Sequence, residues 1–114
     1  MSHAVAAMTE LTESAFDRLA DETLAELIDV LGDLDDVDAD LSQGVLTLKF
    51  EDGKRYVVNR HRAARQIWAA ADASAWHFDW DGSAWVSTKS KDELWTLIER
   101  LLSTRLGRTI SLRS

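Results

Sequence analysis

The spacing of apolar residues switches from a helical to an extended period partway along the chain, and this switch narrows the possible folds more than any other feature. Phe16, Leu19, Ala20, Leu24, Leu27, Leu31 and Leu34 recur at steps of three and four, which lines one face of a helix for burial. After Gly44 the step becomes two: Leu46, Leu48 and Phe50 alternate with Thr47, Lys49 and Glu51, as in a strand with one buried face. Asp52-Gly53 follows that strand, and Asp81-Gly82 separates "WHFDW" from "AWVS". Both residue types tolerate positive φ, so each pair predicts a hairpin turn. The helical period returns at Leu94, Leu97, Ile98, Leu101 and Leu102. Ser90 and Glu93 have the spacing of a capping box for this helix, and Gly107 is its expected stop. Ser14 and Asp17 resemble a capping box for the first helix. Helix, antiparallel meander, helix: this order predicts an α+β two-layer sandwich with both terminal helices on one face of an antiparallel sheet.

A chain of 114 residues can bury one core without covalent staples. A single domain is expected over residues 14–114, preceded by a flexible leader at residues 1–13. The absence of cysteine excludes disulfides, a thiolate nucleophile and thiolate ligation of zinc or iron–sulfur clusters. No apolar run approaches the roughly 18 residues that span a bilayer, and "MSHAVAAM" lacks the basic and apolar regions of a secretory signal. A soluble, cytoplasmic protein without a membrane partner is the simplest expectation.

Charge is strongly polarised. The net charge is −7, yet residues 1–48 hold twelve acids against one base, Arg18, while the remainder holds twelve bases against eight acids. Phosphates would be repelled from the acidic end, which argues against a nucleic-acid partner there. Glu22, Glu26, Asp29 and Asp33 are spaced by four, three and four, so on a helix they form one exposed stripe. Asp36, Asp38 and Asp40 alternate with Val37, Ala39 and Leu41, so on a strand they share the face opposite the apolar residues. Stripe and strand are expected to adjoin as a carboxylate ridge.

A run of charge is ordinarily just a solvated face. Here almost no lysine is interleaved, so the helix forgoes ion pairs worth about 0.2–0.5 kcal/mol each. Asp29 and Asp33 also oppose the dipole at the helix C-terminus. Stability given up in this way points to a bound cation or a basic protein surface. Carboxylates are hard ligands that suit Mg²⁺, Ca²⁺, Mn²⁺ and oxidised iron. Without a closed loop such as an EF-hand, binding should be weak, multi-ion and poorly selective.

If Ile67 faces the core, alternation turns Trp68 outward with Gln66 and with Asn59 or its neighbour Arg60. Tryptophan beside arginine and asparagine has the composition of a protein-binding hot spot. Trp76, Trp80, Trp85 and Trp95 are expected in or at the edge of the core. His3, His61 and His77 do not cluster in sequence, so a histidine metal site is not expected. His77 could donate to Asp79, and His61 could join Asn59 on the contact surface. Neither a nucleophile elbow nor a phosphate loop is present. An exposed ridge also provides no cleft to raise a carboxyl pKa, so enzymatic chemistry is not expected.

"SAFDRLADETLAEL", "GVLTLKFEDGKRYVVNR", "RQIW" and "WHFDWDGSAWVSTKSKDELWTLIERLL" together resemble the frataxin family in its bacterial CyaY form, over roughly residues 14–112. The resemblance implies the same α+β sandwich. It also implies weak, exchangeable binding of Fe²⁺ and Fe³⁺, and contact with the cysteine desulfurase and scaffold of iron–sulfur cluster assembly. Carried over by position, it marks Glu22, Glu26, Asp29, Asp33, Asp35, Asp36, Asp38 and Asp40 as metal-binding. It marks Asn59, Arg60 and Trp68 as partner-binding, and His61 falls beside them. The protein would be a non-enzymatic iron donor or regulator, monomeric, with iron-driven oligomers possible. The alternative is a ferroxidase that oxidises Fe²⁺ and stores the product. The chain departs from the family at His61 and Ala63, at Ser74-Ala75 where a Gly-Gly is common, and at Ile28 and Gly32, positions often acidic in relatives.

Overall fold

The computed structural model describes residues 11–112. The leader expected at residues 1–13 falls almost wholly outside them, and His3 does so entirely. Helix α1 runs over Glu13–Leu31. Thr12, rather than Ser14, is its N-cap, with Thr12 Oγ1 accepting from Ala15 N at 3.1 Å. Phe16, Ala20, Leu24, Leu27 and Leu31 are its buried stripe. At the other end of the chain, α2 spans Leu94–Leu106. Its N-cap is Glu93, whose carboxylate accepts from Trp95 N at 3.0 Å and Thr96 N at 3.1 Å. Ser90 does not cap it; its hydroxyl accepts from Asp92 N instead. Gly107 ends α2 in the left-handed region at φ 72°, where a β-carbon is disfavoured.

Between the helices lie β1 (Asp38–Ser42), β2 (Val45–Lys49), β3 (Arg55–His61), β4 (Gln66–Ala71), β5 (Ser74–Trp80) and β6 (Trp85–Ser87). They pair in chain order as one antiparallel six-stranded sheet. Leu46, Leu48, Val58, Ile67 and Phe78 point into the core beneath the helices. Helix α1 lies against β1 and β3, and α2 against β6. The two-layer α+β sandwich expected from the sequence is therefore the fold.

The expected turns at Asp52-Gly53 and Asp81-Gly82 join β2 to β3 and β5 to β6. A further hairpin, at Gln43-Gly44, joins β1 to β2, with φ of 50° and 78°. Gly44 has a second reason to be glycine. A β-carbon there would sit 2.5 Å from Arg60 Nε, so the missing side chain is what lets the Arg60 side chain lie across the turn and pair with Asp21. Trp85 and Trp95 are buried, and Trp76 and Trp80 pack at the core edge, as the sequence indicates.

Candidate functional site

The carboxylates do not form one unbroken stripe. Glu22, Glu26 and Asp29 are exposed on α1. Asp33, Asp35 and Asp36 lie past its end, in the turns leading to β1, so Asp33 is not helical and Asp36 is not in the strand. Val37 is buried, and Ala39 and Leu41 pack on the core. Alternation therefore sends Asp38 and Asp40 to the helix-free face, where they stand opposite Lys49 and Thr47. Helix stripe and strand acids lie on different layers, joined only through the turn.

At that junction Asp35, Asp36 and Asp38 meet Glu51 around an open basin of about 440 Å³, with Lys49 and Phe50 completing its wall. Glu51 was not among the residues marked from the sequence. Its signal is the register: Asp38 pairs with Lys49, so residues just beyond Lys49 must lie beside those just before Asp38. Arg108 Nη2 donates to Asp36 Oδ1 at 2.9 Å. Next to the basin, Arg105 lies 4.6 Å over the Phe50 ring and pairs with Asp52. The Asp52 carboxyl is held below its ordinary value, first by the Lys54 N–H and then by Arg105. Among the described residues no three His, Asp or Glu side chains are gathered tightly enough to enclose a metal ion. Open carboxylates of this kind are the donor type that suits hard, partly hydrated cations.

A different surface covers the helix-free face of the sheet. Asn59, Trp68 and His77 stand in one cross-strand row. The Trp68 indole lies between two imidazoles. His61 stacks on one side at 3.7 Å between centroids and 8° between planes, and His77 stacks on the other at 4.3 Å and 14°. Trp68 Nε1 donates to Gln66 Oε1 at 2.9 Å, and Gln66 Nε2 donates to Asp79 Oδ1 at 2.9 Å. Asp79 is thus taken by Gln66 rather than by His77. His61 and His77, apart in sequence, are brought together by pairing across β3, β4 and β5, although as stacking partners rather than a ligand cluster. Asn59 faces outward as Trp68 does, but Arg60 does not. Paired with Ile67 on the core side, Arg60 turns toward α1 and binds Asp21. Strand alternation cannot place Asn59 and Arg60 on one face.

Among the described residues, two helices over a six-stranded antiparallel meander, with the acids concentrated where α1 meets β1, define a small two-layer α+β protein with a polarised surface. A family model of the frataxin-like domain (CyaY) matches residues 9–108, and the chain belongs to the frataxin family. Among solved structures it is similar to the CyaY-family frataxin from Psychromonas ingrahamii, at 26% identity and a TM-score of 0.84, over 91% of this chain and 100% of that one. It is also similar to trimeric frataxin from the yeast Saccharomyces cerevisiae, a structure complexed with ferrous iron. There the identity is 27% and the TM-score 0.70, over 87% of this chain and 89% of that one.

Proposed function

We propose that this chain carries Fe²⁺ and Fe³⁺, weakly and exchangeably, on the acidic basin. In this reading it donates that iron to iron–sulfur cluster assembly, or regulates the process, by contacting a cysteine desulfurase and its scaffold. The observation that carries the reading is the convergence of Asp35, Asp36, Asp38 and Glu51 on one open basin. Oxygen donors suit hard cations, and Mn²⁺ and Ca²⁺ should compete. The ferrous complex of the yeast relative supports iron as the cargo. The same openness supports a non-enzymatic role. A ferroxidase centre wants inward carboxylates with histidine on facing helices, whereas these acids sit on turns and a strand edge. The protein works as a cytoplasmic monomer that can associate as it loads. The desulfurase–scaffold contact falls on the helix-free face, at Asn59, Trp68 and His61, with the acidic junction steering a basic partner.

Anaerobic titration with Fe²⁺, followed amide by amide by NMR, tests the cargo and the site together. Shifts and broadening should centre on residues 33–38 and on Glu51, and Ca²⁺ should reproduce the pattern. Asp35→Asn combined with Asp38→Asn should weaken it. A response centred on His61 and His77 would overturn the assignment.

A further inference from the structure

Glu22 and Glu26 lie away from the basin, at the lip of a separate hollow of about 160 Å³ that is lined also by Trp80, Trp85 and Trp95. It lies where α1, the β5–β6 hairpin and the start of α2 meet. Its aromatic lining is held in place. Trp85 Nε1 donates to Thr23 Oγ1 at 3.0 Å, and that hydroxyl donates to Leu19 O at 2.8 Å. Trp80 lies 5.3 Å from Trp85 with the planes inclined at 59°; Trp85 and Trp95 are buried, so Trp80 is the indole left partly exposed to the hollow. The positive end of α2, which would repel a cation, is already offset by the Glu93 carboxylate on Trp95 N and Thr96 N. Glu22 and Glu26 sit one helical turn apart and are exposed.

Indole faces attract cations, and carboxylates beside them add charge and hydrogen-bond acceptors. A bare metal ion gains little here, because indole offers it no ligand. An ammonium is a compact, strongly hydrated point charge. A guanidinium is planar, stacks on indole, is weakly hydrated, and presents five N–H donors at its edges.

We propose that this hollow is a guanidinium-binding site, with the cation stacked on the partly exposed Trp80 and donating to Glu22 and Glu26. The ligand is either a small free guanidinium compound or an arginine side chain. The site is separate from the iron basin and does not depend on it.

The test uses the whole chain and its tryptophan indole N–H signals in NMR. Ethylguanidinium and ethylammonium are titrated side by side at constant ionic strength, together with the blocked tripeptide Gly-Arg-Gly. Ethylguanidinium should shift the Trp80 signal most, and saturably, and ethylammonium should bind at least about fivefold more weakly. The double variant Glu22→Gln, Glu26→Gln, exposed and conservative, should bind ethylguanidinium about fivefold or more weakly than the native chain. Saturation by the small compound and the peptide alike assigns the site to the guanidinium group itself. Saturation by the peptide alone assigns it to an arginine within a polypeptide. Equal response to both small cations, a non-saturating drift of all five tryptophans, or undiminished binding in the double variant overturns the proposal.

Discussion

Arg108 donates to Asp36 at 2.9 Å across 72 residues of sequence, so a base just past the last helix already occupies a carboxylate of the acidic basin. A cation that binds Asp36 competes with this guanidinium for the carboxylate's charge. Exposed pairs of this kind contribute about 0–1 kcal/mol. Arg108→Gln should therefore tighten Mn²⁺ or Fe²⁺ binding by up to about fivefold, as read by calorimetry at low salt. Unchanged affinity would remove Asp36 from the ligand set.

Acids with no ion pair among the described residues should respond differently from Asp36. Asp29 and Asp33 lie at or just beyond the negative end of α1. Replacing both with Asn should raise the melting temperature at low salt, and added salt should shrink the gain, because exposed charges are screened beyond about 10 Å at 0.1 M. Asp36→Asn should gain less than either single change, since it also loses Arg108. Thermal unfolding at two salt concentrations separates these cases, and a drop in stability for the Asp29, Asp33 double variant would reveal favourable contacts there.

Trp68 is held by two stacked imidazoles and one hydrogen bond, so it reaches a partner already ordered and loses little freedom on binding. Trp68→Ala should speed dissociation of a desulfurase–scaffold complex and cost roughly 2 kcal/mol or more. Cation binding at the basin should be untouched, because Trp68 is not part of its wall. Surface-immobilised kinetics and calorimetry on the same variant provide both readings. Loss of cation binding along with partner binding would mean that the two surfaces are coupled.

Three carboxyls are held below their ordinary value of 3.8. The cause is the Lys54 N–H and then Arg105 at Asp52, the Ser83 and Ala84 N–H groups at Asp81, and the forked Arg100 at Asp92. A depressed folded pKa contributes stability that is complete above the unfolded value and is lost as pH falls through the folded one. Urea midpoints should therefore fall as pH is lowered below about 4. In Asp81→Asn and Asp92→Asn the fall should be shallower, with lower stability at neutral pH. A slope identical to the parent in both variants would remove these groups from the acid response.

The helices, the sheet and its buried face were legible because one physical variable, the period of apolar residues, reports them directly. Caps were less so. Ser14 and Ser90 have the right spacing, yet Thr12 and Glu93 sit where the backbone leaves the helix and their side chains reach the free N–H groups. The acids of the candidate site were visible as composition, but their grouping was not. Glu51 joins Asp38 only through the β1–β2 register, and Glu22 meets Trp80 only through the docking of α1 on the sheet. Arg60 shows the same limit: alternation separates it from Asn59, but which of the two faces the core depends on long-range pairing.

The sheet runs β1 to β6, and among the described residues each strand pairs with the strands next to it in the chain. Every ladder is thus a hairpin, and closing each one requires only a short loop. Chains rich in such local contacts reach their transition state quickly for their size. The slow part of the search is left to the termini, since α1 and α2 must both dock before the shared face is closed to water. Substitutions in the β3–β4 and β4–β5 hairpins should then slow folding, whereas those at the α2–β6 seam should chiefly hasten unfolding.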